Sequence, residues 1–165
     1  MKSAPDPSPL VCFPPVIDEY TSILILGSFP GEASLHAQQY CAHPRNQFWR
    51  LLSAVLDENL TEMTYPARVN RLLARHIGLW DVLGACNREG SLDSAIRDAQ
   101  ANDFSMLKHR CPTLHRICFN GKTSGKFAGS FTEAGFQTII LPSSSPANAQ
   151  LSFDEKLRFW HGIMR

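Results

Sequence analysis

The sequence predicts an α/β fold, a three-layer α/β/α sandwich around a mainly parallel sheet of about four strands. Short apolar segments alternate about four times with segments of helical periodicity. A glycine or proline closely follows each apolar segment, as expected where a buried strand ends. Such sheets bind ligands at the carboxyl ends of their strands, so function is expected in the loops found there.

The four predicted strands are short runs of apolar residues. Because these runs are nearly continuous rather than alternating, we expect strands buried on both faces, as in a parallel sheet. The predicted strands are residues 21–26, 77–83, 114–119 and 136–141.

The predicted helices are recognised by apolar spacing and by capping residues. In 46–59, apolar residues from Phe48 to Leu56 recur at intervals of three and four. In 152–164, Ser152 is followed by Glu155, the pair that forms a capping box. The two other predicted helices are 91–108, mainly helical, and 122–133.

Residues 1–20 are predicted to form an N-terminal arm, and residues 21–165 a single domain. The first 15 residues contain five prolines and little periodicity. A chain of 165 residues with 44% hydrophobic and 19% charged residues is typical of one globular domain. We see neither a secretory signal nor an apolar run long enough to span a membrane. We therefore expect a cytoplasmic monomer with no membrane partner.

Charge and cysteine content exclude several classes of site. The net charge of +1 is too small for a generally basic DNA-binding surface, so phosphate contacts would need a local cluster. The five cysteines form no C-x-x-C pair, and the six histidines are scattered. We expect neither a metal site nor a cofactor. Residues 121–126 are one residue short of a phosphate-binding P-loop, which excludes that motif.

Three loops near the predicted strand ends are rich in glycine, proline and polar residues. They are Gly27-Ser-Phe-Pro-Gly31, His43-Pro-Arg-Asn-Gln-Phe-Trp49 and Leu141-Pro-Ser-Ser-Ser-Pro-Ala-Asn148. The residues alone allow a plain interpretation of each: a turn, a helix cap at Asn46 and a surface serine turn. They also allow close backbone approach to a base and anion binding by the serines.

Together, in this order, the three segments resemble the uracil-DNA glycosylase superfamily over roughly residues 23–148. The first is similar to the superfamily motif Gly-x-Asp/Asn-Pro, and the last to its Pro-Ser loop. The second and third together resemble the hypoxanthine-DNA (deoxyinosine) glycosylase branch. The resemblance implies a monofunctional DNA glycosylase that hydrolyses the N-glycosidic bond of a deaminated base in DNA. Hypoxanthine is the expected base, and uracil a further candidate.

The resemblance implies that Asn46 is the catalytic residue. Most of the superfamily carries a catalytic Asp or Asn immediately before the proline of the first motif, where this chain has Phe29. The hypoxanthine branch shares this loss, and there an Asn of the second segment takes the role, which matches Asn46. Because Asn46 is also the best helix-cap candidate, both roles stay open.

The resemblance also places a base-binding site. Asp81 falls where the uracil enzymes carry an Asn that reads the base edge, and a carboxylate could accept from N1–H of hypoxanthine. A cap of the following turn is the alternative role. Cys41 stands where close relatives have an aromatic residue, so Phe29 or Tyr40 is expected to stack on the base. The expected base-binding residues are Gly27, Ser28, Phe29, Tyr40 and Asp81.

The expected DNA contacts lie in the second and third segments. Leu141 replaces a His that stabilises departing uracil in the uracil enzymes, which argues against efficient uracil release. Leu151 is a candidate to insert into the duplex. No lysine stands in a motif position that suggests a Schiff base, so strand nicking is not expected. The expected DNA-binding residues are His43, Arg45, Ser143, Ser144, Ser145 and Asn148.

Three alternatives remain at this point. The first is an enzyme of the same fold directed at uracil, a mismatch or another deaminated base. The second is a non-catalytic nucleic-acid-binding module, which Phe29 and Leu141 favour because they replace polar catalytic groups. The third is a flavodoxin-like α/β protein that binds a small ligand.

Overall fold

The computed structural model describes residues 8–165, so the part of the predicted arm in residues 1–7 lies outside the described residues. Two sheets form in this range. The strands are β1 (Leu10–Val11), β2 (Ile23–Gly27), β3 (Ile77–Asp81), β4 (Leu83–Asn87), β5 (Arg97–Ala101), β6 (Arg116–Asn120) and β7 (Gln137–Leu141). The α-helices are α1 (Glu32–Ala37), α2 (Phe48–Leu56), α3 (Tyr65–Ala74), α4 (Leu107–Arg110), α5 (Lys122–Gly125), α6 (Ala128–Glu133) and α7 (Phe153–Trp160). Single 3₁₀ turns span Leu60–Glu62, Asp93–Ala95 and His161–Met164.

The central sheet has the strand order β3-β2-β6-β7, and all its neighbours are parallel. Each of the four predicted strands contributes one strand to this sheet, and the predicted and observed ends differ by no more than two residues. Gly27 is paired with Asp81 and Asn120 with Leu141, so four strand ends meet along one edge.

Helices cover both faces of this sheet, which confirms the three-layer fold. Side chains of a strand alternate between its faces. Ile23 and Ile25 of β2 pack with residues of α2, α3 and α7, whereas Leu24 and Leu26 pack with residues of α4 and α6. The two cores therefore lie on opposite sides of β2, and the sheet between them is rigid support for the loops at its edge.

A second, antiparallel sheet of order β1-β4-β5 corrects two predictions. The predicted helix 91–108 is wrong, because this segment forms a 3₁₀ turn, β5 and the short α4. Every residue of β5 is exposed, so residues 97–101 have no buried face to hold a helix against the core. The predicted strand 77–83 is in fact divided between β3 and β4. The division falls at Val82, whose N–H donates to the carbonyl of Gly27.

Other elements differ less from prediction. The segment 122–133 is helical but divided into α5 and α6, and 46–59 is helical over Phe48–Leu56. Helices α1 and α3 were not predicted. The arm packs on the domain: β1 pairs with β4, and Val16 forms a bridge with Leu79.

The predicted capping box of α7 is confirmed. The Ser152 hydroxyl accepts from the N–H of Glu155, whose carboxylate accepts from the N–H of Ser152. Ser152→Ala is expected to lower the free energy of unfolding by about 1 kcal/mol, because one N–H of the first turn loses its acceptor. Urea unfolding measures this, with Ser94→Ala at an exposed position as the control. Equal stability of the two variants would contradict the cap's contribution.

Candidate active site

A small cavity lies at the carboxyl edge of the central sheet, between the ends of β2, β3 and β6. Its volume is about 30 Å³, enough for one or two water molecules and too small for a purine. Any larger ligand therefore requires the cavity to widen. The lining residues are Ile25, Gly27, Tyr40, Cys41, Phe48, Leu79, Trp80, Asp81 and Asn120.

Asp81 places a carboxyl group in the wall of this cavity. Its side chain is 4% exposed, and Oδ2 has no hydrogen-bond partner among residues 8–165. Burial and, to a smaller extent, the nearby negative charge of Asp93 raise the pKa of Asp81 to about 7. Asp81 does not cap the turn that follows, because the N–H groups of Val82 and Leu83 donate to the carbonyls of Gly27 and Ser28. The carboxyl group is therefore free for a ligand.

Gly27 leaves room for this carboxyl group. A Cβ on Gly27 would lie 2.7 Å from Asp81 Oδ1, closer than real Cβ atoms approach. We expect Gly27→Ala to destabilise the protein by about 1–3 kcal/mol, because the buried carboxyl has to move. Urea unfolding measures the loss. Gly129→Ala is the matched control, since a Cβ there meets nothing within 4 Å. A Gly27→Ala protein as stable as wild type would contradict this placement of Asp81.

Tyr40 and Cys41 form another wall of the cavity. The Tyr40 ring packs edge-on against Phe13, with 5.2 Å between ring centroids, and its hydroxyl donates to the carbonyl of Pro14. The carbonyl of Tyr40 accepts from Trp49 Nε1. Burial strongly raises the pKa of the Tyr40 hydroxyl, so it is a neutral hydrogen-bonding group. These contacts hold the wall in the closed position seen in this structure.

Asn46 lies in the loop before α2. Its Oδ1 accepts from the N–H of Phe48 at 3.0 Å, and its own N–H donates to the carbonyl of His43. Asn46 therefore forms an Asx turn that leads into α2, one residue before the N-cap Gln47, and bonds the first N–H of the helix. An amide oxygen has two lone pairs, and this bond uses one, so the cap leaves a second acceptor site.

The serine turn, defined here as residues 143–148, lies directly beside Asn46. The N–H of Gln47 donates to the carbonyl of Ser144 at 3.0 Å. Within the turn, Ser143 Oγ accepts from the N–H of Ser145, and Asn148 Nδ2 donates to the carbonyl of Ser143. The structure thus brings the second and third sequence segments together at one edge of the sheet.

Ser144 corrects one expectation, since it cannot contact a phosphate in this structure. Its side chain is fully buried, and its N–H and Oγ are both bonded to the side chain of Asn120 at 2.9 Å. Asn120 therefore holds the serine turn against β6 and also lines the cavity. In the sequence, Asn120 is marked only by its place directly after the predicted strand 114–119. Its position there, beside the other strand ends, is the signal that could have identified it.

A family model for the uracil DNA glycosylase superfamily matches residues 14–163, nearly the whole chain. The chain belongs to the uracil DNA glycosylase superfamily.

Relatives of this superfamily member occur in Methanosarcina. A Methanosarcina acetivorans protein named hypoxanthine DNA glycosylase is 46% identical over 153 residues, which cover 93% of this chain and 96% of the relative. A Methanosarcina barkeri protein of the same name is 49% identical over 136 residues, 82% of this chain and 86% of the relative. The solution NMR structure of a candidate uracil DNA glycosylase from Methanosarcina acetivorans superposes with a TM-score of 0.82. It is 44% identical and covers 93% of this chain and 97% of that one.

The first superfamily motif, Gly27–Gly31, turns its aromatic residue away from the cavity. Phe29 is buried in the core on the opposite face of β2, with the Arg88 guanidinium 5.4 Å from its ring centroid. Ser28 Oγ donates to Asp93 at 2.7 Å. Of the two aromatic residues expected to stack on a base, only Tyr40 lies at the cavity.

Two further expected residues lie in the loop that precedes α2. His43 and Arg45 are exposed, and His43 Nδ1 accepts from the N–H of Arg45. Among residues 8–165, no group of three or more His, Cys, Asp or Glu side chains could hold a metal ion. In the same range, no helix is long and apolar enough to cross a bilayer.

Proposed function

We propose that this superfamily member is a monofunctional DNA glycosylase that releases hypoxanthine from deoxyinosine in DNA. The observation that carries the proposal is the hydrogen bond from Gln47 to Ser144, which sets Asn46 beside the serine turn at the edge where Asp81 lines a cavity. The relatives named hypoxanthine DNA glycosylase, at 46% and 49% identity, support hypoxanthine as the base.

The target nucleotide must leave the stack to reach the cavity. Unstacking costs least for a mispaired base, which favours a deaminated base over its normal neighbours. Since the cavity is too small for a purine, we expect the loop of Tyr40 and Cys41 to move as the base enters. Tyr40 then offers the base an aromatic face.

Asn46 orients water for attack on the sugar. Bond cleavage builds positive charge on the sugar and negative charge on the base. The N–H of Phe48 holds the Asn46 side chain, and the second lone pair of Oδ1 accepts from water. An amide is too weak a base to remove a proton early, so its contribution is position and electrostatics.

Asp81 fixes the base through its hydrogen-bonding edge. When ionised, Asp81 accepts from N1–H of hypoxanthine, and when protonated it donates to a base acceptor instead. Because its pKa is raised to about 7, both forms exist near neutral pH. The backbone groups of Gly27 and Ser28 lie next to this carboxyl group, since Gly27 is paired with Asp81.

The DNA backbone is held at the rim of the site. Ser143, Ser145 and Asn148 present hydroxyl, amide and backbone groups from the serine turn, and Arg45 presents an exposed guanidinium. These groups suit phosphate contacts that place the duplex without reading its sequence. His43 lies two residues from Arg45 and extends the same rim.

A panel of duplexes, each with one deoxyinosine, deoxyuridine, deoxyxanthosine or mismatch, tests the proposal. Chromatography should detect free hypoxanthine from the deoxyinosine duplex, and strands should break only after alkali. Release of uracil alone would shift the assignment to a uracil enzyme. Binding of the duplex without release of any base would support a non-catalytic module instead.

A further inference from the structure

Lys156 of α7 is a buried ammonium group that the proposed mechanism does not use. The residue is 2% exposed, and Nζ donates to Gln47 Oε1 at 2.9 Å. Within residues 8–165, no carboxylate lies within 4.0 Å of this group, since the ion pairs found there both involve Glu58. Burial lowers the pKa of Lys156, because it disfavours the charged ammonium form.

An ammonium in this position is costly for folding. A buried charge loses its hydration, and without a carboxylate partner only hydrogen bonds compensate. An apolar side chain such as methionine would fill similar space without this cost. Proteins keep a buried charge without an ionic partner mainly where a functional site requires it.

The partner of Lys156 connects the two segments of the site. The N–H of Gln47 donates to the carbonyl of Ser144, while its side chain is held by Lys156. Ser144 is in turn bonded through both its N–H and its hydroxyl to Asn120, which lines the cavity. Asn46 immediately precedes Gln47, so the position of its amide depends on this chain of contacts.

We propose that Lys156 is a positioning residue. It holds the Asn46–Gln47 peptide against the serine turn, and so fixes the side-chain amide of Asn46 relative to the DNA phosphates that this turn contacts. The inference rests on the proposed function. Gln47 cannot turn its amide away from α7 without leaving the buried ammonium unpaired. Lys156 therefore acts through Gln47 and does not itself contact DNA.

Lys156→Met tests this assignment on the full chain with a deoxyinosine duplex. The single-turnover rate of hypoxanthine release should fall about 10- to 100-fold, the scale expected for small misplacements of a catalytic group. The Kd for the duplex should stay unchanged, and the Tm should not fall. Lys108→Met is the matched control, because it also removes one charge and one hydrogen bond, from Nζ to the carbonyl of Ala134, on α4. This control should keep the wild-type rate.

Gln47→Met and the double variant complete a double-mutant cycle. If Lys156 acts through Gln47, Gln47→Met should show the same loss, and the double variant should be no slower than the slower single variant. Additive losses, a wild-type rate for Lys156→Met, or a weakened Kd at an unchanged rate would each overturn the positioning role. If Lys156→Met fails to fold, the rate of Gln47→Met still tests whether the contact between these two side chains supports hypoxanthine release. Wild-type protein that releases no hypoxanthine would instead refute the proposed function itself.

Discussion

Asn46→Ala is expected to reduce the single-turnover rate of hypoxanthine release by about 100-fold or more, the scale of losing one fixed group that stabilises a transition state. The attacking water loses the amide oxygen that orients it. The N–H of Phe48 also loses its acceptor, which should lower the free energy of unfolding by only about 1 kcal/mol. Quench experiments on a deoxyinosine duplex measure the rate, and thermal unfolding checks the fold.

Asn46→Ser separates the catalytic role of Asn46 from its capping role. Serine can form the same turn, though more weakly than asparagine, but its short hydroxyl cannot hold water where the amide oxygen does. We expect the serine variant to regain stability and remain slow. If Asn46→Ser releases hypoxanthine at the wild-type rate, capping alone accounts for the residue. If Asn46→Ala does so, Asn46 has no part in the reaction.

Asp81→Asn is expected to change which bases are released and how the rate depends on pH. In wild type the rate on deoxyinosine should rise as pH increases through about 7, because the ionised carboxylate accepts from N1–H more strongly than the neutral carboxyl does. The variant cannot ionise, so its rate should be flat across that range. Its amide also donates, so the ratio of hypoxanthine release to release of other bases should shift by at least about tenfold. Rates on the lesion panel at pH 6 and 8 measure both effects.

Asp81→Asn is also expected to change how the free energy of unfolding depends on pH. The pKa of Asp81 is about 7 in the folded protein against an ordinary value of 3.8, so between these values the folded chain binds more protons than the unfolded chain. The stability that the protonated carboxyl contributes is thus present below about pH 4 and lost as pH rises through about 7. At pH 8, Asp81→Asn should be more stable than wild type by on the order of 1–4 kcal/mol, and this advantage should shrink towards pH 5. Equal urea midpoints at both pH values would contradict a buried, unpaired carboxyl.

The central sheet could be predicted from sequence because its signal is local. Each of its strands is a short apolar run, and a residue such as Gly27 or Pro142 ends it. The second sheet could not be predicted in the same way. Strand β5 is exposed along its whole length, and its pairing with β4 is formed by the backbone and leaves no pattern in the side chains. Polar residues in such a strand look helical or unstructured until the partner is known.

The candidate site was predictable only as far as its segments. Strand order brings the loops after β2, β3 and β7 to one edge, so their proximity follows from the fold. The direction of each side chain does not follow. Ser144 points inward to Asn120 while its neighbours form the turn, and Phe29 packs on the opposite face of β2. These orientations depend on contacts between residues far apart in the chain.

The cavity at the sheet edge has room for a water molecule or two. Free hypoxanthine in solution would have to force the walls apart with its own few contacts, whereas a nucleotide still joined to its duplex can draw on contacts made along the strand. Product inhibition should therefore come from abasic DNA rather than from the liberated purine.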